Sequence, residues 1–82
     1  METLEKKKKH LEAVKQYGFQ LKYVPENFVD ENMCLEAVRQ SGFALKHVPI
    51  HLRNNIHICQ EAVKENGLAL EFVPIHLRNI DI

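Results

Sequence analysis

Tryptophan is absent from this 82-residue chain, and it carries only three glycines and three prolines. Serine and threonine occur once each, as Ser41 and Thr3. Ser41 falls at a helix end before Gly42 and Thr3 near the N-terminus, and neither Cys34 nor Cys59 has a sequence neighbour that would lower its pKa, so no nucleophile stands out. The glycines stand alone, 24 and 25 residues apart, so there is no glycine-rich loop to cradle a phosphate. Net charge is missing too: 11 Lys and Arg balance 11 Asp and Glu. The chain therefore lacks the broad positive field that nucleic-acid or anionic-membrane binding exploits. No apolar run approaches the ~18 residues of a membrane span, and nothing after Met1 resembles a signal-peptide core. A cytoplasmic protein is expected.

What is present argues for folding. With 45% hydrophobic and 27% charged residues the composition is that of a globular chain. Its length suits one domain, residues 1–82, with a modest core. Self-comparison shows how that core is divided. Three segments align: HLEAVKQYGFQLKYVPENFVD (10–30), CLEAVRQSGFALKHVPIHLRN (34–54) and CQEAVKENGLALEFVPIHLRN (59–79). Glu12/36/61, Ala13/37/62, Val14/38/63, Gly18/42/67, Leu21/45/70, Val24/48/73 and Pro25/49/74 are filled alike in all three. These are packing and backbone residues, with Leu45 and Leu70 expected in the core. Repetition of this kind marks a stacked-repeat architecture. The units run over about 3–30, 31–54 and 55–79.

Within a unit, Asp30 and Asn55 read as N-caps whose side chains satisfy the orphan amides of a helix start. The helix then runs to Gly42, or its equivalents Gly18 and Gly67, expected as left-handed C′ stops. Met33, Cys34, Ala37 and Val38 form one stripe, matched by Ile58, Cys59, Ala62 and Val63, and this stripe should face the core. After the glycine, FALKHV and LALEFV suit short helical turns, with a strand as the alternative. Pro49 and Pro74 open a second short helix in which Leu52 and Leu77 point inward. The expected fold is all-α, a helical-repeat solenoid of three helix pairs; an α/β leucine-rich-repeat-like solenoid is the alternative.

The two ends differ. Lys9 and His10 stand where later units have Met33/Cys34 and Ile58/Cys59, which suits a capping helix. At the other end, Asn79–Ile82 (NIDI) echoes Asn55–Ile58 (NIHI) as the truncated start of a fourth unit. The C-terminal stack is expected to be open, and an uncovered apolar face usually marks an interaction surface.

These repeated residues resemble the tandem helical repeat family named domain of unknown function 4116, over about residues 10–79. Ala37, Val38, Gly42, Leu45, Leu52 and Arg53 match its pattern, as do Ala62, Val63, Gly67, Leu70, Leu77 and Arg78. Val-Pro replaces the Ala-Ser usual there, and Asn54 stands where an acidic residue is common. The resemblance implies an all-helical repeat array and carries no activity, substrate or catalytic residue with it.

Two cysteines and five histidines invite a zinc reading. The spacing opposes it. Cys34 and Cys59 hold equivalent places on helices expected ~8–10 Å apart, too far to share a metal or form a disulfide. Pro49 breaks any continuous helix through His47 and His51. No metal, cofactor or catalytic site is therefore expected, and the chain is read as a non-catalytic protein–protein interaction or assembly module. Its candidate partner-binding residues are His51, Arg53, Asn54, His76, Arg78 and Asn79 on a polar ridge, with Ile80 and Ile82 at the open end, the partner being a protein or a second copy. The bland reading of the ridge is loop capping and salt bridges to Glu36 and Glu61. A nucleic-acid accessory role using Lys6–Lys9 with Arg53 and Arg78 is the alternative.

Overall fold

The computed structural model describes residues 2–78, with side chains from residue 4 onward. Among these residues there are helices and turns and no strand, so the α/β alternative is disfavoured. Three successive segments repeat one order: a long α-helix, a six-residue 3₁₀ helix and a short terminal helix. They are α1 (Glu2–Gln16), η1 (Gly18–Tyr23) and η2 (Glu26–Phe28); α2 (Glu31–Gln40), η3 (Gly42–His47) and α3 (Ile50–Arg53); α4 (Ile56–Glu65), η4 (Gly67–Phe72) and η5 (Ile75–Leu77). Each segment thus holds three helical pieces where two were expected.

The helix starts follow from their caps. The Asp30 carboxylate accepts from the Met33 amide at 2.9 Å, and Asn55 Oδ1 accepts from the His57 and Ile58 amides at 2.8 and 3.3 Å. Such a cap is worth about 1 kcal/mol. Lys7 adds an ion pair to Asp30 at 2.6 Å.

The helix ends depart from expectation. No glycine of the described chain has a positive φ, so none serves as a left-handed stop. The turn is made one residue earlier, by Tyr17, Ser41 and Asn66 in extended conformation, with φ of −139, −151 and −149°. Their amides still donate to the carbonyls of Ala13, Ala37 and Ala62. Their own carbonyls then accept the first 3₁₀ bonds, from Gln20, Ala44 and Ala69. Extended backbone is open to any side chain, which is why tyrosine, serine and asparagine share the position.

Glycine is required for a different reason. A Cβ on Gly18 would overlap the carbonyl oxygen of Ala37, and one on Gly42 would overlap that of Ala62. The missing side chain lets each 3₁₀ helix press against the long helix of the next segment.

A 3₁₀ helix eclipses residues three apart, so Gly42 and Leu45 share one face, as do Gly18 and Leu21. All four are buried. Val24, Val48 and Val73 then hold the β-region conformation that a following proline imposes. Packing runs between neighbours: α2 lies against α1 and α4, and η3 lies against η1 and η4. The expected stripe is buried along Met33, Cys34, Ala37, Val38, Ile58, Cys59 and Ala62, while Val63 is only half-buried. Enclosing a side chain the size of Leu45 or Ile58 contributes about 1.5–3 kcal/mol.

Candidate interaction surface

The contact between the second and third segments has four parts. Gly42 presses on the Ala62 carbonyl, and its amide donates to the Glu65 carboxylate. Arg39 Nε donates to Glu61 Oε1 at 2.9 Å. Phe43 meets Phe72 edge-on, with ring centroids 5.9 Å apart. Leu45 is fully enclosed. The contact between the first and second segments repeats part of this: Gly18 presses on the Ala37 carbonyl, and Phe19 meets His47 edge-on at 6.0 Å.

On the third segment the same positions face outward. A Cβ on Gly67 would have nothing within 4 Å among the described residues. Leu68, which holds the place of Phe43, is 72% exposed, and Leu70, which holds that of Leu45, is 41% exposed. Leu70 was expected in the core alongside Leu45; among the described residues it has no covering helix like the one Leu45 receives from α4. Phe43, Gly67, Leu68, Leu70, Glu71 and Arg78 line an open cavity of about 520 Å³ on this face. Sequence reasoning placed the open end on Ile80 and Ile82 and missed Gly67, Leu68 and Leu70. The repeat marks them as equivalents of Gly42, Phe43 and Leu45, but that those positions face a following segment is seen only in the structure.

The ridge residues are only partly brought together. His51, Asn54 and His76 are exposed, whereas Arg53 and Arg78 are turned back on their own segments. Arg53 donates to the carbonyls of Val48 and Lys46 at 2.9 and 3.0 Å, and Arg78 does the same to Val73 and Glu71 at 2.9 and 2.7 Å. The loop-capping role is therefore observed. The expected salt bridges to Glu36 and Glu61 are not found among the described residues; Glu61 pairs instead with Arg39, which holds its carboxyl below the usual range. Ile50 and Ile75 flank the arginines at 75% and 76% exposure. With Phe72, Val73 and Pro74 they line a shallow groove of about 370 Å³. Asn79, Ile80 and Ile82 lie outside the described residues.

Cys34 and Cys59 are both buried and free. Burial, with help from Asp30 and Glu31, pushes the Cys34 thiol up to about 12. Burial also raises Cys59, whose Sγ donates to the Arg53 carbonyl at 3.1 Å. Neither thiol is poised as a thiolate. Burial and the cations Lys46, Lys22 and Arg53 lower the pKa of His47. Among the described residues, no three His, Cys, Asp or Glu side chains converge as a metal cage. No helix there is long and apolar enough to cross a membrane.

The family described as domain of unknown function (DUF4116) matches residues 30–78, more than half of the chain. The chain belongs to the DUF4116 family. The match spans α2 to the end of η5, the two segments whose mutual contact is built most fully. No curated protein and no solved structure shows significant similarity to this DUF4116 chain.

Proposed function

We propose that this DUF4116 chain is a non-catalytic protein–protein interaction or assembly module. It is built as a short helical-repeat solenoid, acts in the cytoplasm, and receives another helical repeat unit on its C-terminal end face. The observation that carries the reading is the exposure of Leu68 and Leu70, whose counterparts Phe43 and Leu45 are covered by the next segment. Apolar side chains grouped in this way usually serve an interface. The elongated outline, 42 × 22 × 16 Å, fits a row of units that touch only their neighbours.

The nucleic-acid alternative has weaker support. Arg53 and Arg78 are engaged on backbone carbonyls and Lys7 on Asp30, which removes cations that reading relied upon.

The test compares the wild-type chain with Leu68→Asp. Both are measured by light-scattering mass after size exclusion, alone and with proteins recovered on the immobilised chain and identified by mass spectrometry. Association that Leu68→Asp abolishes without lowering the melting temperature supports the reading. Association indifferent to Leu68→Asp, or none at all, overturns it.

A further inference from the structure

Resting on that reading, the occupant of the end face can be specified from the contact the molecule already builds between its second and third segments. Each half of that contact has a counterpart exposed among the described residues, one on the first segment and one on the third. The η3 side supplies Arg39, Gly42 and Phe43; at the C-terminal end the same places are held by Lys64, Gly67 and Leu68. The α4 side supplies Glu61, the Ala62 carbonyl, Glu65 and Phe72; on the first segment these places are held by Glu12, Ala13, Gln16 and Tyr23. Glu12, Gln16 and Tyr23 are exposed, and Ala13 is only half-buried.

We infer that the C-terminal end face of one chain takes the outer face of the first segment of a second copy, head to tail. Gly67 lies against the Ala13 carbonyl of the second copy, where a Cβ would not fit. The Gly67 amide donates to the Gln16 side-chain oxygen, and Lys64 pairs with Glu12 as Arg39 does with Glu61. Leu68 meets the Tyr23 ring. The first segment has two polar residues in core places, Lys9 for buried Ile58 and His10 for buried Cys59. His10 packs against Phe28 of its own segment, ring centroids 5.7 Å apart, so Lys9 is the one left to be met. The end face answers it with Glu71 beside Leu70 in the cavity wall, where the two earlier segments have Lys22 and Lys46. A lysine stem can lie along Leu70 while its ammonium reaches outward. Charge therefore complements in both directions, Lys64 with Glu12 and Glu71 with Lys9. A contact that uses two different surfaces does not close on itself, so it lengthens a row and does not stop at a pair. The lysine in an apolar place keeps the affinity low.

The first measurement is the light-scattering mass of the wild-type chain over about a hundredfold dilution, beside Gly67→Ala, Lys64→Glu and Glu12→Lys. The wild-type mass should rise with concentration beyond that of one chain. Gly67→Ala should weaken association at least about tenfold while leaving the melting temperature of the dilute monomer unchanged or higher. Lys64→Glu and Glu12→Lys should each weaken it a few-fold, and an equimolar mixture of the two should recover it, because opposite charges then meet. Carbodiimide treatment of the wild type should join Glu12 of one chain to Lys64 of another. A wild-type chain that stays monomeric at every concentration overturns the inference, as does association that Gly67→Ala leaves intact. If the wild type is monomeric yet binds a different protein through Leu68, the interaction reading stands and only the second copy is ruled out as occupant.

Discussion

Leu45 and Leu70 hold the same place in consecutive segments, follow a glycine by the same three residues, and differ completely in surroundings: 0% against 41% exposed. Gly42 and Gly67 form a second such pair, one pressed on a carbonyl and the other with nothing of the described residues against it. Local sequence is nearly constant between the two segments, so the difference comes from the neighbour alone. A repeat position is core or surface according to whether another unit follows it.

That comparison can be broken or sharpened by mutation. Leu45→Ala should destabilise by about 2–5 kcal/mol, and Leu70→Ala by less than about 2, read from chemical denaturation of dilute protein. Equal losses would mean that Leu70 is as enclosed as Leu45. Next in size, Gly42→Ala should cost about 1–3 kcal/mol because the helix carrying Ala62 must move away. Gly67→Ala, with no atom of the described residues in its path and no positive φ to lose, should be neutral or stabilise by up to about 1 kcal/mol.

Asp30→Ala should cost about 1 kcal/mol at neutral pH through the lost cap. Burial alone would raise the Asp30 pKa, but the Lys7 hydrogen bond and the Met33 amide outweigh it and set it below its ordinary 3.8. Stability from this carboxylate is thus fully present above the ordinary value and lost as pH falls through the folded one. The gap between wild type and Asp30→Ala should narrow in denaturation curves taken below about pH 4. Smallest is Arg39→Ala, whose exposed pair with Glu61 should give a barely measurable loss of stability that shrinks further as salt is added.

Much of the fold was legible in the sequence because its causes are local. Asp30 and Asn55 announce helix starts through side chains that can only accept from nearby amides, and Met33, Cys34, Ala37 and Val38 announce a core face by helical spacing. Glycine was misread because two different demands, a left-handed turn and a close approach, select the same residue. Only the position of the Ala37 and Ala62 carbonyls separates them, and that is a fact about neighbours. Leu70 was misread for the same reason. Arg53 and Arg78 recur in a fixed register behind Val48 and Val73, which fits a bond to the carbonyl five residues earlier as well as a ridge for a partner. Their exposed companions Ile50 and Ile75 are the part of that surface left free.

The order of contacts also bears on how the chain gains and loses its structure. Among the described residues the main contacts join segments about 25 residues apart, so closing each one requires a short loop, and folding should be fast for a chain of this length. With α2 held from both sides and η4 from one, native-state hydrogen exchange should show η4 and η5 opening first, and protection rising toward the middle of the row.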